Sequence, residues 1–192
     1  MGSDDLFKKR KLKRTQATKK VAPDRFLIIC EGTKTEPNYF NHFKNKIIQK
    51  HRDSVYIEII GEGKNTESLI REATRLKNRA NPDYSQVWCV FDKDDFSDEQ
   101  FNAACQAAQN EGIQLAYSVE SFELWYLLHF DYLQTAIHRD QYIAKLKMYL
   151  GSYGKNDPAI YDRLMLAGGQ EKQAISYSMK LEEKTKDLPF AK

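Results

Sequence analysis

Residues 25–36 read Arg-Phe-Leu-Ile-Ile-Cys-Glu-Gly-Thr-Lys-Thr-Glu, and this stretch decides the fold class. Its first half is a continuous apolar run, Phe26 to Cys30, as found in strands that are buried on both faces of a parallel sheet. Pro37 suits the first turn of a helix, and apolar side chains then recur at helical spacing up to about His51. A buried strand that is followed at once by an amphipathic helix indicates an α/β fold.

The same alternation of strand and helix continues along the chain. Further strands are predicted at about 55–60, 87–91 and 114–118, and further helices at about 66–80, 98–111 and 122–130. Ser97 and Gln100 have the spacing of a capping box, which places a helix start near Asp98. Strands separated by helices in this way pair in parallel through right-handed crossovers. We therefore predict a mostly parallel sheet of about four strands flanked by helices.

The chain divides by composition into three predicted parts. Residues 1–24 form a basic arm, 25–130 the α/β core, and 131–192 a helical extension with helices at about 139–150, 158–167 and 170–186. Residues 1–25 hold nine Lys or Arg against three Asp, a net charge of +6 in a chain of net charge +3. An arm without apolar periodicity is expected to be flexible, and its charge suits either nucleic-acid phosphates or solubility alone.

Composition also argues against several classes of protein. No stretch approaches the roughly 20 apolar residues of a membrane span, and no apolar segment with a cleavage site follows the basic arm. We therefore expect a soluble, cytoplasmic protein with no membrane partner. Cys30, Cys89 and Cys105 lie among apolar neighbours without CxxC spacing and are predicted to be reduced thiols. The histidines lack zinc-type spacing, and His129 is interpreted as a buried, hydrogen-bonded core residue.

Acidic residues follow two of the predicted buried strands. Glu31 and Glu36 come after the first strand, and residues 92–95, Asp-Lys-Asp-Asp, come after a later one. Sites in open parallel sheets form outside the carboxyl ends of the strands, so these carboxylates converge if the two strands are neighbours. A divalent cation such as Mg²⁺ would then offset their mutual repulsion. Residues 92–95 alone are more typical of a solvated loop at a helix start, but the two clusters together favour a metal site.

Three lysines are candidates for contact with phosphate groups. Lys34 and Lys93 lie inside the acidic clusters, where each is either a phosphate contact or an exposed counter-charge, and Lys64 lies in the loop after the second strand. Residues 61–66 resemble a phosphate-binding loop, but Glu58 occupies the first glycine position of that motif and Asn65 follows the lysine. We therefore expect no ATP site and no organic cofactor.

Three motifs occur in an order that resembles the RloB family, whose domain is similar to a Toprim fold. They are ICEGTKTEPNYF at 29–40, VFDKDD at 90–95 and SFELWYLLHF at 121–130. The resemblance covers about residues 24 to 165. Because members of the family usually continue past a final helix, Lys192 is interpreted as a candidate truncated end.

The resemblance implies roles for the acidic residues. Glu31 is the catalytic glutamate after the first strand, and Asp92 and Asp94 are the Asp-x-Asp ligands of Mg²⁺ or Mn²⁺. Glu36 matches the second acid of the EGxTE pattern, and Glu123 is the acid of the third motif, so both are further candidate metal ligands. Lys34 is assigned a catalytic role beside them, in steadying the phosphate.

The function that the resemblance implies is a metal-dependent nuclease effector of bacterial antiphage defence by abortive infection. Its substrate would be DNA or an RNA such as tRNA, and its partner a separate ABC-type ATPase. The alternative is a non-catalytic Toprim-like module that binds nucleic acid or a partner. Primase or topoisomerase activity is disfavoured because the chain is short and has no companion domain. A homodimer is compatible with each of these hypotheses.

Overall fold

A sheet of four parallel strands, in the order β2-β1-β3-β4, forms the centre of the fold. The computed structural model describes residues 22–63, 65–93, 97–135 and 137–185. The strands are β1 (Asp24–Cys30), β2 (Val55–Gly61), β3 (Gln86–Lys93) and β4 (Gln114–Val119). The predicted parallel α/β sheet is therefore confirmed. The basic arm up to residue 21 lies outside the described residues.

Helices flank this sheet and continue beyond it. In the described residues they are α1 (Thr35–His51), α2 (Thr66–Arg79), α3 (Asp98–Asn110), α4 (Glu123–Leu128), α5 (Arg139–Leu150), α6 (Ile160–Leu166) and α7 (Glu171–Thr185). The predicted capping box is confirmed, since the Ser97 side chain accepts from the Gln100 amide and the Gln100 side chain accepts from the Ser97 amide. Each predicted helix is present, with ends that differ by a few residues.

The two faces of the sheet belong to two hydrophobic clusters. Side chains alternate along a strand, so Leu27 and Ile29 of β1 face α2 and α3, whereas Ile28 and Cys30 belong to the cluster that includes α1 and α4. Helices on both faces explain why β1 is an unbroken apolar run. Tyr39 of α1, on the second side, is almost fully buried.

The helical extension packs into the second of these clusters. Buried side chains of α5 and α6 lie in it together with residues of α1 and α4; they are Tyr142, Leu146, Ile160, Tyr161 and Leu164. Helix α4 also contacts α5 and α7 directly. The extension is thus packed against the side of the sheet that carries α1 and α4.

The interior of this second cluster contains the histidine that the sequence places in the core. His129 is fully buried, its Nδ1 donates to the carbonyl of Trp125 at 2.9 Å, and its Nε2 accepts from the Tyr39 hydroxyl at 3.2 Å. The predicted buried, hydrogen-bonded imidazole is confirmed. Burial lowers the pKa of His129, so the ring is held in its neutral form.

The predicted free thiols are also found. Cys30, Cys89 and Cys105 are free, and the first two are buried. Burial raises the pKa of Cys89 to about 12, which makes its thiol unreactive at neutral pH. Within the described part of the chain, no helix combines the length and apolarity that a membrane crossing requires.

Two element boundaries lie close together at the carboxyl edge of the sheet. Strand β3 continues through Asp92 and Lys93, because these residues pair in register with Ser118 and Val119 of β4. Helix α1 begins at Thr35, so Pro37 lies in its first turn as predicted, and the buried Glu36 carboxylate lies there as well.

Candidate active site

The centre of the sheet has the topology at which α/β proteins bind ligands. From β1 the chain crosses to β2 on one side, and β3 then pairs with β1 on the other side. The crevice outside the carboxyl ends of β1 and β3 is therefore a topological switch point. The condition set from the sequence, that the strands before the two acidic clusters are neighbours, is met.

Glu31 and Asp92 meet at this edge. Glu31 follows β1 directly, and its backbone amide donates to the carbonyl of Val90 at 2.8 Å. Its carboxylate Oε2 accepts a hydrogen bond from the backbone amide of Asp92 at 3.1 Å. The contact fixes the Glu31 side chain at the end of β3, so two residues that are 61 apart in sequence contribute acidic groups to one place.

A cavity of about 250 Å³ opens at this point. It is lined by four carboxylates and two ammonium groups together with smaller side chains; the lining residues are Glu31, Gly32, Thr33, Lys34, Thr35, Glu36, Asp92, Phe122, Glu123 and Lys155. The structure thus brings the predicted residues Glu31, Lys34, Glu36, Asp92 and Glu123 to one cavity. A surplus of negative charge in such a space favours a cation.

Glu36 is placed in the cavity by the first turn of α1 and by the glycine before it. Its side chain is 4% exposed, and its Oε1 accepts from the backbone amide of Gly32 at 3.2 Å. A Cβ on Gly32 would lie 2.4 Å from Glu36 Oε2, so this approach requires a glycine. Burial raises the pKa of Glu36, amide hydrogen bonds oppose that rise, and the negative charge of Glu123 adds to it.

Glu123 lies in the first turn of α4 and is also buried. It is 2% exposed, and its Oε1 accepts a hydrogen bond from the Tyr153 hydroxyl at 2.8 Å. The Nζ of Lys155 lies 4.0 Å from the same oxygen. Helix α4 is tied to the start of α1 by the buried Tyr126 hydroxyl, which donates to the Thr35 carbonyl at 2.9 Å. The two helices thus hold the Glu36 and Glu123 carboxylates in fixed positions.

The predicted basic residues have different surroundings. Lys34 is exposed, precedes α1 and lines the cavity. Lys93 Nζ forms an ion pair with Asp98 at 2.8 Å and lies 5.2 Å from the Phe101 ring centroid, and it is absent from the cavity lining. Lys93 thus pairs with an acidic side chain, and its contact with a phosphate group stays a prediction. Lys64, the third predicted phosphate contact, lies outside the described residues.

The described part of the loop after β2 is hydrogen-bonded to the backbone around Glu31. The amide of Glu62 donates to the Cys30 carbonyl at 3.0 Å, and the amide of Gly63 donates to the Glu31 carbonyl at 2.8 Å. Amides engaged in this way are unavailable to a phosphate group, consistent with the incomplete motif in the sequence. The loop therefore fixes the backbone of Glu31.

The predicted metal ligands are only partly within the described residues. Among residues 22–63, 65–93, 97–135 and 137–185, no three His, Cys, Asp or Glu side chains come together as a complete metal-binding group. Asp94, which the Asp-x-Asp pattern names as a ligand, lies outside this part of the chain. Glu31 and Asp92 nevertheless offer hard oxygen donors at one place, the ligand type that Mg²⁺ and Mn²⁺ take. The metal assignment stays a prediction.

A family model described as RloB-like protein matches residues 26–189. The chain belongs to the RloB-like family. The match spans every residue that lines the cavity and continues through α7, so the helical extension is part of the region that defines RloB-like proteins. No curated protein and no solved structure matches the chain.

Sequence reasoning missed two residues that the extension contributes. Tyr153 and Lys155 lie in the loop between α5 and α6, and Tyr153 meets a carboxylate 30 residues earlier in the chain. The only local sign is Gly154, which lies between them and three residues after Gly151, since glycines at such positions are typical of a break between helices. Nothing in the spacing of the motifs connects this loop with Glu123.

Proposed function

We propose that this RloB-like chain is a metal-dependent nuclease that hydrolyses phosphodiester bonds of nucleic acid at the cavity beside Glu31 and Asp92. The observation that carries the proposal is the 3.1 Å hydrogen bond from the Asp92 amide to the Glu31 carboxylate, which joins the ends of β1 and β3 at the switch point. Two acidic residues at that place, in a cavity with further carboxylates and lysines, suit metal-assisted hydrolysis better than binding alone. A Toprim-like arrangement is part of this proposal.

Glu31 and Asp92 are the proposed ligands of Mg²⁺ or Mn²⁺, and Asp94 is the proposed third. Glu36 and Glu123 line the same cavity and are candidates for additional ligands. Carboxylate oxygens are the donors that these hard cations prefer. When bound, the ion supplies Lewis-acid chemistry at a phosphoryl oxygen.

The protein's own groups orient the reactants. The Asp92 amide holds one oxygen of Glu31, so the position of this carboxylate does not depend on a ligand. Lys34, at the exposed rim, brings a positive charge to a cavity that would otherwise repel a polyanion. Phe122, which is buried, gives the cavity one apolar wall.

We further propose a role as the effector of a bacterial antiphage system that acts by abortive infection. Membership of the RloB-like family supports this role. A separate ABC-type ATPase is the proposed partner, as the family resemblance implies. DNA and tRNA are the substrates to test first.

The test is a cleavage assay on four proteins: wild type, Glu31→Gln, Asp92→Asn and Glu67→Gln. Glu67 is an exposed acid on α2 that pairs with Arg71 and does not line the cavity, so its substitution controls for the loss of one negative charge. Labelled single-stranded DNA, duplex DNA and tRNA are incubated with Mg²⁺, Mn²⁺ or EDTA.

Metal-dependent cutting by wild type and Glu67→Gln, lost in both site variants, would support the nuclease. Equal cutting by all four proteins would assign the activity to a contaminant. If none of them cuts but all bind nucleic acid in a salt-dependent way, the non-catalytic binding module is the better account.

A further inference from the structure

We propose that the loop between α5 and α6 provides the phosphate contact for the substrate, with Lys155 as the contacting residue and Tyr153 as a positioning residue. This inference rests on the proposed function, since it assigns a substrate contact in the same cavity. It gives the helical extension a direct role in the site, and it identifies the ligand as the backbone phosphate of a nucleic acid.

One side chain holds both ends of the loop in place. The Arg163 guanidinium of α6 donates to the Leu150 carbonyl at 3.1 Å and to the Ser152 hydroxyl at 3.2 Å. It also forms an ion pair with Asp157, whose other oxygen accepts from the Ala159 amide at 3.0 Å. Both ends of the loop are thus fastened to the same arginine.

Tyr153 fastens the middle of the loop to α4. Its hydroxyl donates to Glu123 at 2.8 Å, and its ring packs edge-on against Tyr126 with centroids 6.2 Å apart. Lys155, two residues on, is brought to the cavity by this anchor.

The ammonium group of Lys155 is placed to bind a phosphate group. Its side chain is 58% exposed, and Glu123 at 4.0 Å lies beyond hydrogen-bonding distance. At this separation the Lys155 N–H groups make no hydrogen bond to the buried Glu123 carboxylate. A lysine has three N–H donors and acts as a point charge without a fixed geometry, which fits an oxygen of a phosphate group.

The charge balance of the cavity explains the need for this contact. Its carboxylates repel a polyanion, and lysines reach it from two separate elements, Lys34 from the loop after β1 and Lys155 from the loop after α5. Two cations on different elements can bracket one stretch of nucleic-acid backbone beside the acidic groups. Such contacts position the strand and carry no sequence information.

Binding of a fluorescein-labelled single-stranded oligothymidylate tests the proposal. It is measured by anisotropy over a range of salt concentrations, in the Asp92→Asn background so that the probe stays intact. The variants are Lys155→Met, Lys155→Arg and Lys147→Met. Lys147 is exposed on α5 of the same extension and lines no part of the cavity, so its substitution removes the same charge elsewhere.

We expect Lys155→Met to weaken binding by about tenfold or more, the effect of losing one charged hydrogen-bond contact. The negative slope of the logarithm of the association constant against log salt should become shallower by about 0.7, the value for one phosphate contact on a single strand. Lys155→Arg should keep most of the affinity, and Lys147→Met should change neither quantity. The same affinity and slope for Lys155→Met and Lys147→Met, or no measurable binding by the parent, would overturn the proposal.

A double-mutant cycle tests the positioning role of Tyr153. If Tyr153 acts by placing Lys155, Tyr153→Phe should weaken binding in the presence of Lys155 and have no further effect in Lys155→Met. Additive losses would instead mean that Tyr153 acts only on stability or on another contact. Thermal unfolding of each variant shows whether it is folded.

The outcome also separates this inference from the nuclease proposal. If wild type and Lys155→Met cleave with the same kcat and KM, the proposed phosphate contact is refuted and the nuclease proposal stands. If Lys155→Met weakens salt-dependent binding but wild type cleaves nothing with any metal, the nuclease proposal is refuted and the phosphate contact stands.

Discussion

The Gly61→Ala substitution should damage the site through the backbone that supports it. Gly61 is the last residue of β2, and its α-carbon faces the loop that carries Glu31. A Cβ at this position would lie 2.7 Å from the Gly32 carbonyl oxygen and 2.8 Å from the Thr33 α-carbon. Because both of these are backbone atoms, no side-chain rotation relieves the overlap.

The magnitude follows from these distances. Ordinary van der Waals contact begins near 3.4 Å, so the loop after β1 must move away from β2 by several tenths of an ångström. Overpacking of this kind costs about 1–3 kcal/mol, and the movement also strains the hydrogen bonds from Glu62 and Gly63 to the end of β1. We expect a loss of about 3 kcal/mol, and therefore a Tm lower by about 6–12 °C for a domain of this size.

The assay is thermal and urea unfolding of Gly61→Ala beside wild type and Gly154→Ala. A Cβ on Gly154 meets nothing within 4 Å, so this matched substitution should leave stability unchanged or raise it slightly. Cleavage by Gly61→Ala should also fall, because Glu31 moves with the displaced loop. Equal Tm values for Gly61→Ala and Gly154→Ala would refute the reasoning.

Three further predictions concern stability. Burial lowers the pKa of His129, so below the usual histidine pKa of about 6.5 the unfolded chain binds a proton that the folded chain does not. The free energy of unfolding should therefore fall between pH 7.5 and 5.5, by up to about 1.4 kcal/mol for each pH unit below 6.5. Urea titrations of His129→Gln should show a smaller fall. Tyr126→Phe should cost about 1–2 kcal/mol in urea unfolding, because the buried Thr35 carbonyl loses its donor. Ser97→Ala should cost about 1 kcal/mol by the loss of the capping box, with cleavage unchanged.

Much of the fold is visible in the sequence because its signals are local. The apolar run at 26–30 indicates a strand with helices on both faces, and Ser97 marks a helix start through its own hydrogen bonds. The end of β3 depends on a partner strand, so the pairing of Asp92 with Ser118 has no local signal. Tertiary contacts set this boundary, and local propensity does not.

The site also has residues that the sequence predicts and residues that only tertiary packing brings to it. Glu31 and Asp92 follow from the rule that strand ends in a parallel sheet converge, and this rule needs only the strand assignments. Lys155 reaches the cavity through the packing of α5 and α6 on α4 and through the Tyr153 anchor. Neither contact leaves a periodic pattern in the sequence, so the sequence predicts the helices of the extension but not their part in the site.

The most direct test of a shared centre made by Glu31 and Asp92 is a single-turnover cleavage rate for four proteins with Mn²⁺. These are wild type, Glu31→Gln, Asp92→Asn and the double variant. If the two residues act as one unit, either single substitution should remove nearly all of the rate, and the double variant should lose little more. Absence of cleavage by wild type, or cleavage that persists in either single variant, would contradict a shared metal-dependent centre.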